Sequence, residues 1–307
     1  MSMTISDRPL LLASEGRALE DLAEETIWEG LDSHGAILFR GFGVDADGFY
    51  EFASRFNRGF LVSPFGDRKA ASRKNELQTV TLGRSGLSLH FEYGSSPMRP
   101  DLLWFYCRKA AAEGTGGETL VADGVSIFDR LKPETQAALC AKRVKYRNFV
   151  PTEAFDAMLG KNKVVESLVA GDVIETLSAR RGFTVTEETD RRVVFEFVAP
   201  SVVPLGDGGK MRVCQDLFTD AYKKPSKGGE PEDTFSTMVT WEDGAEIEED
   251  VLDDLKAATR SLIRGIKWRA GDFALIDNNR MLHGRNQTTD PERDIVMLSS
   301  FSTRFQV

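Results

Sequence analysis

Metal-binding side chains stand at residues 90, 92 and 283 of this chain, which has only three histidines in its 307 residues. His90 and Glu92 lie in Leu87-Ser88-Leu89-His90-Phe91-Glu92-Tyr93, where apolar and polar residues alternate. That period of two predicts a half-buried strand, with imidazole and carboxylate leaving the backbone on one face. Helical spacing would splay them apart. His283 stands further on, after the apolar run Phe273 to Ile276 and the polar cluster Asp277-Asn278-Asn279. The run, the cluster and the resumed strand at Arg280 predict a hairpin with His283 near its turn. Two neighbouring ligands and a remote third describe a 2-His-1-carboxylate facial triad, which suits Fe(II) and leaves positions open for a co-substrate and oxygen.

These ligands need a frame, and the surrounding chain reads as short strands with flanking helices. Leu19, Leu22, Ala23, Ile27 and Leu31 recur at helical spacing over residues 15–33, followed by a buried strand over 35–42. His34, at the junction, reads as a helix-end residue. A second helix fits Ala46 to Phe56, with Phe49, Tyr50, Phe52 and Phe56 as core aromatics. Arg58 to Arg84 is polar and loop-like, placed to close over a site or simply to be solvated.

Pro97, Pro100 and the run Gly114-Thr115-Gly116-Gly117 frame a strand from Leu102 to Arg108. The glycine run lacks the Gly-Lys-Ser/Thr ending of a nucleotide loop, so a phosphate role is rejected. Residues 126–190, with helical patches at Gln136 to Lys142 and Val164 to Ser178, predict a mostly helical insertion with a charged, solvated face. Strand character returns from Val193 to Val203. Gly206 to Gly209 is a turn, Lys223 to Pro231 a loop that can order over substrate, and 246–263 an amphipathic helix. The expected fold is mainly β with flanking helices, an α+β chain around an antiparallel barrel or jelly roll. No internal repeat is present.

Composition narrows the function. A chain of this length supports one large domain over 1–307, its core at about 85–125 and 193–307. Hydrophobic residues make up 41%, and no apolar run approaches the 18 or so of a membrane span, so the cytoplasm is the expected location. The net charge of -9 argues against nucleic acid as a partner and for a small molecule. Cys107, Cys140 and Cys214 lack metal-site spacing and read as reduced packing residues.

Several motifs in order resemble one family. They are His90-x-Glu92, Pro100-Asp101-Leu102-Leu103-Trp104-Phe105-Tyr106-Cys107, Gly116-Gly117-Glu118-Thr119, Gly271-Asp272 through Asp277-Asn278, His283-Gly284-Arg285, and Arg293. Together they resemble the TauD/TfdA-like Fe(II)/2-oxoglutarate-dependent dioxygenases, over roughly residues 35 to 301 with a weakly matching middle. Glu92 in place of the commoner Asp is similar to the clavaminate synthase-like branch. The resemblance implies a double-stranded β-helix core of cupin-like type, with Fe(II), 2-oxoglutarate and O2 as cofactor and co-substrates. It also implies oxidative decarboxylation to succinate and CO2, coupled to hydroxylation of an unactivated carbon. Desaturation, ring formation or epoxidation would use the same ligands, whereas related halogenases replace the acid ligand by Gly or Ala, a place Glu92 fills.

The resemblance further implies that the Thr119 hydroxyl bonds a carboxylate of 2-oxoglutarate. The co-substrate's far carboxylate calls for a guanidinium fork, and Arg293, ten residues past His283, is the candidate. The TauD-type pattern has a second Arg four residues later, where this chain has Met297, so Arg304 or Arg285 remain substitutes. Gln215 stands where relatives often have an Asn near the pocket. Relatives of this branch act on amino acids, peptides, carrier-bound intermediates and other small metabolites, so an amino-acid-like or carrier-bound substrate is expected, and a homo-oligomer stays open. Two rivals are a cupin-like isomerase or hydrolase using the triad without 2-oxoglutarate, and a non-catalytic ligand-binding jelly roll with structural histidines.

Overall fold

The computed structural model describes residues 6–63, 68–72, 76–81, 83–96, 99–155, 183–206, 209–215, 217, 222–223 and 235–304. β1 (Leu10–Ala13) leads through a 3-10 turn at Leu19–Asp21 to α1 (Glu24–His34), β2 (Ala36–Arg40) and α2 (Ala46–Ser54). Five strands follow: β3 (Asn57–Leu61), β4 (Gln78–Thr79), β5 (Leu87–His90), β6 (Leu102–Lys109) and β7 (Thr119–Asp123). After α3 (Gly124–Arg130) and α4 (Pro133–Ala141) come β8 (Arg143–Pro151), β9 (Phe183–Glu188), β10 (Arg192–Pro200), β11 (Val202–Leu205), β12 (Lys210–Val213), β13 (Tyr222–Lys223) and β14 (Ser236–Trp241). The chain ends with α5 (Glu249–Leu262), β15 (Arg264–Ile266), β16 (Phe273–Asp277), β17 (Met281–Arg285) and β18 (Asp294–Ser302). It is mainly β with a few helices, and it divides into two compact units.

The first unit holds β1 to β7, with β5 as far as Leu89, and β15 to β18 in two sheets. One runs β1-β2-β16-β6-β18-β3, with β4 also on β18; the other runs β15-β7-β17-β5. β6 is buried along six consecutive residues because both its faces are covered. Leu102, Trp104 and Tyr106 join the aromatics of α2 on one side, while Leu103, Phe105 and Cys107 meet Val121 and Ile266 of the smaller sheet on the other. Phe49, Phe52 and Phe56 are core residues, and Phe39 stacks on Phe273 at 4.4 Å. Truncating such a buried ring costs about 3–5 kcal/mol.

The expected helix over 15–33 is broken. Asp21 accepts a bond from the Ala18 backbone N–H and Leu22 N–H bonds Leu19 O, so the chain turns locally and runs extended through Ala23 before α1 begins. Gly35 ends α1 at φ +68°, where a Cβ would also strike the Met281 sulfur. The stretch read as a loop before residue 84 contains β3 and β4, both paired with β18.

The turn at 277–279 does not close a hairpin. β16 lies between β2 and β6 in the larger sheet and β17 between β7 and β5 in the smaller one. Asn278 explains the crossing: its amide donates to Pro100 O at 2.8 Å and its backbone N–H to Asp101 O at 2.9 Å, tying the turn to another segment.

The second unit holds a five-stranded sheet, β13-β14-β8-β10-β9, and the β11-β12 pair. Its centre corrects the helical insertion expected at 126–190. α4 covers the first patch, but β8 is a nine-residue strand in which Val144, Tyr146, Asn148 and Val150 are buried, and β9 is a further strand. Period-two alternation with Lys145 and Arg147 makes β8 a strand. The second patch and the loop at 224–231 lie outside the described residues. Cys107 and Cys214 are buried free thiols, burial pushing Cys107 up to about 12, whereas Cys140 is exposed and packs no core. Among the described residues no helix is long and apolar enough to cross a membrane.

Candidate metal centre

His90 is the last residue of β5, and the predicted strand stops there. Glu92 instead stands in a turn, where Gly94 N–H bonds Phe91 O and Ser96 N–H bonds Tyr93 O. Tyr93 takes φ +54°, a conformation that β-carbon contacts disfavour. The turn is held from β8, where the Asn148 amide donates to Ser95 O at 3.0 Å and accepts from Thr237 Oγ1 at 2.8 Å. Phe91 is buried with the Arg99 guanidinium 4.0 Å over its ring. The strand pattern brought the two ligands close, but a turn, not alternation, converges them: His90 Nε2 and Glu92 Oε2 are 3.9 Å apart.

His283 lies mid-strand in β17, 6% exposed, opposite Val121 of β7 and with Phe105 5.8 Å from its ring centre. One ligand atom from each of His90, Glu92 and His283 lies within 4.8 Å of the others. Two imidazoles and a buried carboxylate at that spacing fit a borderline divalent metal such as iron. His34 stands apart from this group, its Nδ1 2.9 Å from the Arg8 carbonyl.

Thr119 opens β7 opposite Arg285. Direct partners in an antiparallel ladder share a face, so Thr119 is a diagonal neighbour of His283, about 7–8 Å away by backbone. Its Oγ1 accepts a hydrogen bond from Trp268 Nε1 at 3.1 Å, which leaves the hydroxyl proton to be donated onward. Arg293 immediately precedes β18, and its Nε donates to Gly117 O at 2.8 Å. At Gly117, φ +87°, a Cβ would come within 2.8 Å of Arg293 Cδ, so the glycine makes room for this arginine.

Burial first, then repulsion from Arg285, pushes Arg293 down to about 10, and burial lowers Arg285 as well. Among the described residues neither guanidinium forms a salt bridge; Arg285 donates only to the Thr81 and Ser85 carbonyls. Arg304 donates to Asp32 in two bonds of 2.9 and 2.8 Å. Gln215 is buried and accepts from Tyr146 OH at 3.0 Å. Trp268 and Asn148 escaped the sequence reading. An aromatic donor between the charged Lys267 and Arg269 is the one signal that pointed to Trp268.

The model of the taurine catabolism dioxygenase TauD, TfdA family matches residues 6–299. The chain belongs to that family. TauD/TfdA membership makes it an Fe(II)/2-oxoglutarate-dependent oxidoreductase that uses O2. Among curated relatives it is 22% identical to 3-((Z)-2-isocyanoethenyl)-1H-indole synthase of Fischerella ambigua, over 90% of this chain and 86% of that one. It is 25% identical to the dapdiamide synthesis protein DdaC of Enterobacter agglomerans, over 87% and 82%.

Two solved structures share the fold. PvcB of Pseudomonas aeruginosa, an Fe, alpha-ketoglutarate-dependent oxygenase from an isonitrile synthetic pathway, aligns with a TM-score of 0.54 at 15% identity over 96% of this chain and 86% of that one. AAD-2, in complex with Mn(II) and N-oxalylglycine, aligns with a TM-score of 0.57 at 16% identity over the full length of both chains.

Proposed function

We propose that this TauD/TfdA member hydroxylates an unactivated carbon of a small amino-acid-like or natural-product substrate, with His90, Glu92 and His283 as its iron ligands. The observation that carries the reading is the convergence of those three donors to within 4.8 Å. In this reading Thr119 and Arg293 hold 2-oxoglutarate, and the two sheets of the first unit are the double-stranded β-helix that presents them.

Iron held by these three residues would activate O2, the oxidant, which takes two electrons from 2-oxoglutarate as it becomes succinate and CO2 and two from the substrate C–H bond that becomes C–OH. The protein's share is orientation. Arg293 offers a planar fork to the far carboxylate, and Gly117 O fixes that fork through Nε. Thr119 donates its proton to a carboxylate oxygen while Trp268 holds the hydroxyl in place. Buried walls such as Phe105 and Val121 keep water from the reacting carbon. The substrate class is supported by the two curated relatives, both named for making small nitrogen-containing molecules. A cupin-like isomerase or hydrolase would have no use for Arg293, and family membership sets it aside.

The test is anaerobic addition of Fe(II) and 2-oxoglutarate, which should give a weak visible charge-transfer band in the wild type and none in His283→Ala. A screen of amino-acid-like compounds for coupled succinate release then identifies the substrate. A folded wild-type protein without the band would refute the assignment.

A further inference from the structure

We propose that Gly284 and Arg285 form a clamp between the two strands that carry the imidazoles, and that Arg285 is a positioning residue for metal loading. The inference rests on His90, Glu92 and His283 being the ligands. Gly284 follows His283, and a Cβ there would lie 2.6 Å from Leu87 O, 3.2 Å from Ser88 O and 3.3 Å from Leu89 N. The backbones of β17 and β5 therefore approach more closely than any residue with a side chain permits.

Arg285 locks that approach. Its Nη1 donates to Thr81 O at 2.9 Å and its Nη2 to Ser85 O at 2.8 Å, with Nε a longer 3.3 Å from the same oxygen. The residues it grips lead directly into β5, which ends at His90. One side chain on the His283 strand thus fixes the entry of the His90 strand, and Thr288 N–H to Arg84 O at 3.0 Å adds a second tie. The residue is 6% exposed and among the described residues no salt bridge offsets its burial, a cost that a leucine filling the same volume would avoid. A fork reaching two carbonyls at once explains why an arginine stands here, since an ammonium is a point donor.

Arg285→Lys keeps the charge that acts on Arg293 and loses the fork, so it separates positioning from electrostatics. Purified full-length protein is titrated with Mn(II) alone, by calorimetry and by the electron paramagnetic resonance of the bound ion. Arg285→Lys should keep the wild-type circular dichroism, weaken Mn(II) binding about 10–100-fold as supporting residues of metal ligands do, and change the resonance of the bound ion. Mn(II) affinity within twofold of wild type, alone or with a lowered Tm, would show a structural role only and overturn the proposal. His283→Ala should abolish binding; if it binds Mn(II) normally, the ligand assignment fails and the clamp with it. Should Arg285→Lys not fold, Arg285→Ala is titrated with low-millimolar guanidinium. Recovery of Mn(II) affinity by guanidinium but not by equal sodium chloride supports the clamp, and no recovery overturns it.

Discussion

Two arginine sites in the first unit, one wholly buried and one half-buried, are solved in opposite ways. Arg280 is wholly buried, and its Nε and Nη2 donate to both oxygens of the equally buried Asp123 at 2.8 and 2.9 Å, while Nη1 donates to Asp32 O at 2.6 Å. Arg293 has a carbonyl for its Nε, and its electrostatic neighbours are Arg285, Cys107, Glu118 and Asp294. The first site carries its own counter-charge and is complete. At the second, burial first and then repulsion from Arg285 outweigh the opposing pull of Cys107, Glu118 and Asp294 and push the pKa down to about 10. The two arginines are thus told apart by what faces them as well as by burial: a carboxylate at Arg280, a backbone carbonyl at Arg293.

Removing one partner from each site should break this contrast if it is wrong. Arg280→Met takes the guanidinium from the buried Asp123 carboxylate, a loss of about 3–5 kcal/mol in urea unfolding, and Asp123→Leu added to it should restore most of that. A single variant as stable as wild type would remove the contrast. Arg293→Leu should behave in reverse. A guanidinium whose pKa is lowered on folding is charged at a cost below about pH 10, and the cost fades as pH rises through that value. Its removal should therefore leave Tm at neutral pH unchanged or raised, while 2-oxoglutarate affinity, measured calorimetrically with Mn(II) present, falls by about 2–5 kcal/mol. A Tm loss matching that of Arg280→Met would reassign Arg293 as structural. Thr119→Val sharpens the same site: one bond to a charged group is lost, about 1.5–3 kcal/mol, and the same calorimetry should show about tenfold weaker binding or more. No change would detach Thr119 from the co-substrate.

What the sequence disclosed follows the range of the interactions involved. The convergence of His90, Glu92 and His283 was legible because rare residue types in ordered motifs carry information without geometry, and Phe49, Phe52 and Phe56 as core residues because helical spacing repeats locally. The hairpin at 277–279 was misread because a polar turn looks the same whether the chain folds back or crosses to another sheet; the bonds from Asn278 to Pro100 and Asp101, 178 and 177 positions away, decide it. β8 was read as part of a helical region although its alternation was present, since only one residue separates it from the helix before it. Trp268 and Asn148 act through hydrogen bonds to partners 149 residues away for Trp268 and 53 and 89 away for Asn148, and spacing within a segment holds no trace of them.

A third kind of charged site, in the second unit, sets the lower end of the scale. Glu248 is about half exposed; Lys142 Nζ donates to one oxygen at 2.6 Å and Trp241 Nε1 to the other at 2.7 Å, with the ammonium 4.8 Å over the indole ring. The Lys142 bond first, then the residue's own backbone N–H and the indole, lower its pKa from 4.5 to about 2. A carboxylate depressed on folding adds stability that is complete above its unfolded pKa and disappears as pH falls through the folded one, here between pH 4.5 and about 2. Water and salt compete at an exposed pair, so Glu248→Gln should cost no more than about 1 kcal/mol at pH 7. The difference in urea midpoint between wild type and variant should shrink from pH 5 to pH 3 and again in 1 M salt. A difference that ignores both would mean that the side chain acts by packing against Trp241, and that counter-charge orders only the buried sites.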